Sequence, residues 1–178
     1  SRPSWCLNMM TAKKLNFGNI MGHVTNVTNL SSLASWTADQ FDPTLTWEDI
    51  AWIKDRWKGK LILKGIMDSE DAMLAVKAGA DAIIISNHGG RQLDGAPSTI
   101  SVLPEIVDAV NSKVEVHFDG GVRSGQDVLK VLALGADCIH IGRPYVYGLG
   151  AKGQEGVEIA IEIIKKELDL TMAMCGET

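Results

Sequence analysis

The chain repeats one strand-and-helix pattern at an offset of 56 residues, and this repeat limits the possible folds more than any other feature. The segment "SEDAMLAVKAGAD" at 69–81 aligns with "GQDVLKVLALGAD" at 125–137, and Gly65 aligns with Gly121. Each period is long enough for two strand–helix units. Short apolar strands that alternate with helices are typical of a buried parallel sheet. A doubly wound sheet and a (β/α)8 barrel both fit this pattern, and the repeat favours the barrel.

The alternation of strands and helices begins at residue 46 and continues toward the C-terminus. It predicts four strands, at 60–64, 81–86, 114–118 and 137–141. It also predicts helices at 46–57, 69–79, 103–110, 124–135 and 153–168, with Thr46 and Ser69 as N-caps and Gly79 as a helix stop. Because a closed barrel needs eight strands, the predicted fold is α/β and supplies half of a barrel.

The first part of the chain differs from the rest. Residues 1–45 show no sustained period, so we interpret them as a long irregular loop with short helical pieces. The predicted organisation is therefore an irregular segment at 1–45 and an α/β domain at 46–178, which holds four βα units and a C-terminal helix.

Composition disfavours several classes of protein. The chain has 178 residues, 46% of them hydrophobic, and its net charge of −5 disfavours a nucleic-acid partner. Cys6, Cys138 and Cys175 are few and widely spaced, which predicts neither a disulfide framework nor a metal site and favours a reducing, cytoplasmic compartment. No apolar run approaches the roughly 18 residues of a membrane span.

Polar residues and glycines follow each predicted strand, at the carboxyl ends where parallel α/β folds bind their ligands. The four strand ends read Lys64-Gly65, "SNHGGR" at 86–91, "DGGVR" at 119–123 and Gly142-Arg143. Two consecutive glycine-and-arginine loops are typical of a barrel phosphate site, although ordinary turns with solvated arginines remain the alternative. The helix that opens at Ser124 and Gly125 should also favour an anion.

The loop "SNHGGR" predicts acid–base chemistry. His88 lies between a strand and two glycines, where its imidazole could act as a base, and Arg91 could hold a carboxylate beside it. His117 and His140 lie within strands and are interpreted as packed core histidines. Lys64 ends an apolar strand, so it should face an anionic or electron-rich ligand, or else extend its ammonium to the barrel rim.

The segments "SNHGGRQLDG", "DGGVRSGQDVLKVLALGAD" and "IGRPYVYGLG" resemble the FMN-dependent α-hydroxy acid dehydrogenase and oxidase family. The resemblance runs from about Phe41 to the C-terminus and implies strands 5–8 of a (β/α)8 barrel. It implies FMN as cofactor and oxidation of an L-2-hydroxy acid, lactate first, to the 2-oxo acid, with a quinone, cytochrome or oxygen as electron acceptor. Residues 1–40 resemble a mobile loop that associates with the membrane in some bacterial members. That likeness would place a cytoplasmic protein peripherally on the inner membrane.

The resemblance also implies individual roles for the residues at the strand ends. His88 would be the catalytic base and Arg91 would hold the substrate carboxylate. Lys64 would lie near N1 and O2 of the flavin and stabilise negative charge there, and Ser86 would lie at the ring end of the site. The remaining cofactor-binding residues would hold the ribityl phosphate: Asp119, Gly120, Gly121, Arg123, Gly142 and Arg143.

Residues that the family takes from its first four strands have no counterpart in this chain. The chain is therefore expected to have lost its first half, to pair with a separate N-terminal half-barrel or to self-associate. Two other interpretations stay open. One is a non-catalytic half-barrel that binds phosphate or flavin, and the other is a different phosphate-binding barrel enzyme, such as an FMN-dependent isomerase. The spacing of His88 and Arg91 disfavours the isomerase.

Overall fold

A computed structural model describes residues 3–12, 20, 24, 27 and 30–177. The chain divides into two compact units, Ser1–Thr46 and Trp47–Thr178. The first unit contains helices α1 (Pro3–Thr11) and α2 (Leu30–Asp39). Among the residues described, no helix combines the length and the apolar character needed to cross a membrane.

The described residues of the second unit form four strands and six α-helices. Its elements in chain order are α3 (Trp47–Arg56), β1 (Ile62–Ile66), α4 (Ser69–Lys77), β2 (Ala82–Ile85), a 3-10 turn (His88–Gly90), α5 (Thr99–Val110), β3 (Glu115–Phe118), α6 (Gly125–Ala133), β4 (Cys138–Ile139), α7 (Arg143–Lys152) and α8 (Gln154–Cys175). The strands pair in parallel in the order β1-β2-β3-β4. The predicted α/β class is confirmed, and β1 and β4 are the edge strands of the described sheet.

One face of the sheet packs against helices and forms the core. Ile83 and Ile85 of β2 and Phe118 of β3 are at most 1% exposed and join a cluster with Leu103 and Ile106 of α5. Side chains alternate along a strand, so the neighbouring residues face the opposite side. One row of directly paired residues on this second face runs across all four strands and consists of Lys64, Ile84, His117 and Cys138. Ile62, Lys64 and Glu115 are exposed on this second face.

The 56-residue repeat reappears as repeated local structure. Asp68 and Ser124 occupy equivalent N-cap positions with nearly identical backbone angles, φ −144° and ψ 165° against φ −140° and ψ 162°. Each side chain accepts a hydrogen bond from the backbone N–H three residues later. The prediction that Ser69 caps α4 is wrong, because Asp68 supplies the carboxylate and Ser69 is the first helical residue.

The aspartates that end "AGAD" and "LGAD" bind the preceding strands at the amino ends of the sheet. Asp81 Oδ2 accepts from the Leu61 N–H at 2.9 Å, and Asp137 Oδ2 accepts from the Val116 N–H at 2.8 Å. The Asp81 carboxylate also accepts hydrogen bonds from the ammonium groups of Lys54, at 2.7 Å, and Lys60, at 2.9 Å. The hydrogen bond from Lys54, followed by those from Leu61 and Lys60, holds the pKa of Asp81 far below its ordinary value. Charged residues at this end of the sheet therefore stabilise the fold.

Helix α7 was not predicted from the sequence. Its residues, "RPYVYGLGAK", include two glycines, which disfavour a helix when considered locally. Tertiary packing explains it, because α8 packs against α7 and the backbones meet at Gly148 and Gly156. Helix α8 continues to Cys175, beyond the predicted end at residue 168.

Candidate functional site

A cleft of about 530 Å³ opens at the carboxyl ends of the strands. Nine of the ten predicted site residues line it: Lys64, His88, Arg91, Asp119, Gly120, Gly121, Arg123, Gly142 and Arg143. The tenth, Ser86, lies beneath the surface with 1% of its area exposed. The parallel direction of the strands explains why these residues converge, because parallel strands present their carboxyl ends along the same edge of the sheet.

Lys64, Ser86 and Asp119 form one hydrogen-bonded network across β1, β2 and β3. The Lys64 ammonium donates to Ser86 Oγ at 2.5 Å and forms an ion pair with Asp119. Ser86 Oγ in turn donates to Asp119 Oδ1 at 2.6 Å. The network fixes a cation at the base of the cleft and satisfies the buried hydroxyl.

The Ser86 hydroxyl also positions the loop that carries His88. Its oxygen accepts a hydrogen bond from the His88 N–H at 3.2 Å. His88 adopts φ +55°, a left-handed conformation that costs a non-glycine residue about 1–3 kcal/mol. A Cβ at Gly65 would lie 3.1 Å from His88 Cε1, so the imidazole sits against the backbone of β1. The exposed ring is thus held by the turn and by the absence of a side chain at Gly65.

The cleft is electropositive. Its fixed cations are Lys64, Arg91, Arg123 and Arg143, and its only lining carboxylate among the described residues is Asp119. Arg143 donates to the Gly89 carbonyl at 2.8 Å and ties α7 to the His88 turn. Within the described part of the chain, Arg91 and Arg123 have no ion pair. Their guanidinium groups are therefore available to an anionic ligand.

The glycine loops leave space beside the backbone where a ligand could approach. Gly121 has φ +85°, and a Cβ placed there would have no neighbouring atom within 4 Å. The same is true of a Cβ placed at Gly142. Gly120 differs, because its Cβ would lie 2.8 Å from Thr99 Oγ1, which donates to the Gly120 carbonyl. Thr99 thus supports the loop from behind while the Gly121 side remains open. These features fit a phosphate group bound at the Gly121 and Gly142 backbone.

The N-terminus of α6 is not the anion site that the sequence suggested. The N–H groups of Arg123 and Ser124 both donate to Asp127 Oδ2 at 3.0 Å, and the Gly125 N–H donates to Glu167 Oε2 at 2.9 Å. Partial burial acts to raise the pKa of Asp127, but the hydrogen bonds from Arg123 and Ser124 outweigh it and lower the pKa. Two carboxylates already occupy this helix end, so a phosphate would be repelled there.

The N-terminus of α7 is the available alternative. Gly142 is its N-cap and provides no capping side chain, and Gly142, Arg143 and Pro144 line the cleft. The positive end of a helix dipole favours an anion at this position. The sequence pattern does not reveal this feature, because it predicts no helix where α7 lies.

His140 also departs from its predicted place. The sequence suggested two core histidines, and His117 is indeed buried at 8% exposure. His140 is exposed and lines the cleft beside Ile141. The reason is that β4 ends at Ile139, so His140 already belongs to the strand end.

A parallel sheet with basic and glycine-rich loops at its strand ends defines an α/β domain of the cofactor- and phosphate-binding class. Comparison with known proteins identifies the family more closely. Residues 1–178 match the FMN-dependent dehydrogenase family. The chain therefore belongs to that family, and FMN is the family's cofactor.

Individual relatives agree with this assignment. The chain is similar to L-lactate dehydrogenase of Vibrio cholerae serotype O1 (strain M66-2), with 44% identity over 99% of this chain and 47% of the relative. The chain is also similar to L-lactate dehydrogenase of Pseudomonas syringae pv. syringae (strain B728a), with 45% identity over 100% of this chain and 47% of the relative. A crystal structure of mandelate oxidase with (S)-4-hydroxymandelic acid superposes with a TM-score of 0.78 at 47% identity, over 83% of this chain and 41% of that one. The chain thus spans about half the length of the relatives it matches.

Proposed function

We propose that the chain is the C-terminal half of a (β/α)8 enzyme that oxidises an L-2-hydroxy acid, with lactate as the first candidate, to the 2-oxo acid. The observation that carries this proposal is the single cleft that gathers an exposed imidazole, free guanidinium groups and open glycine loops. Relatives named L-lactate dehydrogenase and mandelate oxidase support the same chemistry.

His88 and Arg91 would act on the substrate. Arg91 holds the substrate carboxylate with its two-pronged guanidinium, which fixes the orientation of the 2-carbon. His88, held by Ser86 and Gly65, removes a proton from the substrate as a general base. FMN, when bound, would accept the two electrons and the remaining hydrogen that leave the substrate. The acceptor that receives them afterwards, a quinone, a cytochrome or oxygen, stays open.

FMN would be held by the residues at the other three strand ends. The phosphate binds at the Gly121 loop with Arg123, and at Gly142 and Arg143 where α7 begins. Lys64, fixed by Ser86 and Asp119, places a positive charge toward the ring end of the cleft. Gly120 acts by holding the loop against Thr99.

Two observations support the half-barrel. The described sheet has four strands with β1 and β4 at its edges, whereas a closed barrel has eight. Ile62, on the sheet face opposite the helical core, is 45% exposed. A separate N-terminal half-barrel, or a second copy of this chain, would pair with both edges and cover that face.

FMN binding is tested by comparing FMN with riboflavin, which lacks the phosphate. The chain should bind FMN with a lower dissociation constant than riboflavin, as measured by the quenching of flavin fluorescence. Arg123→Met should weaken FMN binding at least about tenfold, the worth of one charge-assisted hydrogen bond, and leave riboflavin binding unchanged. Lys113→Met, at the opposite end of the sheet, is the matched control. Equal affinity for the two flavins would contradict the phosphate site.

Catalysis is tested after mixing the chain with an N-terminal half-barrel. L-Lactate should then bleach the visible absorbance of the bound FMN under anaerobic conditions, and D-lactate should not. A non-catalytic flavin-binding half-barrel is the alternative, which is favoured by the exposed face and the four-stranded extent of the described sheet. Flavin that binds to the assembled halves but is never bleached by any L-2-hydroxy acid would establish that alternative.

We also propose that residues 1–40 contact the cytoplasmic surface of the membrane peripherally. Support comes from α1, where Trp5, Leu7 and Met10 are exposed. Co-sedimentation with phosphatidylglycerol vesicles should decrease in a Trp5→Ser, Leu7→Ser double variant. Met174→Ser, at an exposed position on α8, serves as the control. Equal sedimentation of all three proteins would exclude contact through α1.

A further inference from the structure

A second group of side chains lies on β3 and β4, on the sheet face opposite the helical core, and its outermost member, His140, also lines the cleft. Cys138 pairs with His117 in the parallel register, and His140 follows two residues later on the same face. The ligand atoms of these three residues all lie within 4.8 Å of one another. Flavin chemistry, as proposed above, gives none of the three a role.

The two histidines face each other through their ring nitrogens. His117 Nδ1 lies 3.1 Å from His140 Nε2, and the ring centroids are 5.3 Å apart. Two imidazole nitrogens bound to one tetrahedral zinc ion, each at about 2.0–2.1 Å, are separated by about 3.3 Å. The observed spacing is therefore close to that of a chelating pair before any movement of the side chains.

The outer nitrogen of His117 already has a partner suited to a ligand histidine. His117 Nε2 lies 3.2 Å from Glu115 Oε2. Metal-bound histidines usually donate their second N–H to a carboxylate, which fixes the tautomer and strengthens the other nitrogen as a ligand. Glu115 thus leaves Nδ1, the nitrogen that faces His140, as the ligand atom.

We propose that His117, Cys138 and His140 form a binding site for a divalent transition metal of the zinc class. Two imidazole nitrogens and one thiolate suit such an ion, and a water molecule completes the tetrahedron. A sulfur-to-nitrogen distance of about 3.6 Å is needed, so Cys138 Sγ has to approach by at most about 1.2 Å from the 4.8 Å limit. The bound ion clamps the edge strand β4 to β3 and leaves the FMN site to the glycine and arginine loops.

The site is tested first on the unmodified 178-residue chain, without flavin, through its three cysteines. Cys6 and Cys175 are exposed and lie outside the cluster, so they are internal controls for Cys138. Zn²⁺ should slow alkylation of Cys138 by iodoacetamide at least about tenfold, because a metal-bound thiolate is a poor nucleophile, and should leave the other two unaffected. Mass spectrometry reports each cysteine separately. Equal alkylation rates with and without Zn²⁺ would overturn the proposal.

Cobalt provides the second measurement. Co²⁺ added to the wild-type chain should give a thiolate-to-metal charge-transfer band with the visible absorption of a tetrahedral site, and Zn²⁺ should abolish both. Cys138→Ala should remove the charge-transfer band, and Cys175→Ala should retain it. Glu115→Gln, at an exposed position, should weaken Co²⁺ binding about 10–100-fold. A charge-transfer band that survives Cys138→Ala would show that the metal binds elsewhere. A wild-type chain that gives no charge-transfer band would show that His117 and His140 share a hydrogen bond and bind no metal.

Discussion

His88 is the residue on which the proposed chemistry depends most directly. Its left-handed backbone, the hydrogen bond from its N–H to Ser86 and the close approach of its ring to Gly65 together place the ring at the cleft. In the assembled enzyme, His88→Gln should leave substrate affinity nearly unchanged and slow flavin reduction by about 10²–10⁴-fold, the usual loss for a general base. Single-turnover flavin bleaching at varied L-lactate concentration measures both quantities. Reduction at the wild-type rate would contradict the assignment.

Arg91 should behave differently, because it would contact the carboxylate in both the ground state and the transition state. Arg91→Met should raise the dissociation constant of the substrate and also slow reduction. Arg91→Lys should recover only part of the loss, since an ammonium cannot form the two parallel hydrogen bonds of a guanidinium. The same single-turnover experiment separates the two effects. Full activity in Arg91→Lys would show that a point charge is sufficient.

The elements of the fold are joined by contacts that the individual segments do not reveal. Helices α7 and α8 meet so closely that a Cβ at Gly148 would lie 2.3 Å from the Gly156 carbonyl oxygen. Gly148→Ala should therefore lower the free energy of unfolding by about 1–3 kcal/mol through overpacking. Gly150→Ala in the same helix meets nothing within 4 Å and should stabilise by up to about 1 kcal/mol. Urea unfolding of both variants measures the contrast, and equal stabilities would refute the close approach.

The links at the amino ends of the strands should make stability depend on pH. The pKa of Asp81 is lowered from its ordinary value of 3.8, so the folded state binds fewer protons than the unfolded state below that value. Its contribution is complete above pH 3.8 and is lost progressively as the pH falls below it. Asp81→Asn should be less stable than wild type at pH 7, and the difference should shrink as the pH falls from 4 toward 2.

Chemical unfolding at a series of pH values provides this measurement. Asp108→Asn is the matched control, because Asp108 is exposed on α5 and has no ion pair among the described residues. A difference between wild type and Asp81→Asn that stays constant from pH 7 to pH 2 would show that folding does not lower the pKa of Asp81.

At the scale of the whole molecule, the edges of the sheet decide how the chain behaves alone. Strands β1 and β4 have unpaired edges within the described sheet, and polar and apolar side chains such as Lys64 and Ile62 are exposed on one face. We therefore expect the isolated chain to self-associate, and an added N-terminal half-barrel to replace this association with a defined complex. Sedimentation velocity at micromolar concentrations tests this expectation. A single monomeric species that forms no complex with the N-terminal half-barrel would refute the half-barrel proposal.

The sequence by itself determined the features that depend on near neighbours. The alternation of four strands with helices, the position of Gly79 after α4 and the loops at the strand ends were all predictable, because hydrophobic period and backbone conformation are local properties. Parallel pairing then requires the strand ends to converge, which is why nine of the ten predicted site residues lie in one cleft. Their chemical roles stay predictions until the variants are measured.

Only the tertiary structure decided the features that join distant residues. Glu167 occupies the N-terminus of α6 from 42 residues away, so no local pattern could show that this helix end is unavailable to phosphate. Helix α7 forms because its glycines allow a close approach to α8, although the same glycines disfavour a helix in isolation. Cys138 lacks the spacing of a metal motif along the chain, yet the parallel register of β3 and β4 brings His117 beside it and its near neighbour His140. In each case the deciding contact depends on how whole elements pack, and packing is a property of the folded chain rather than of any one segment.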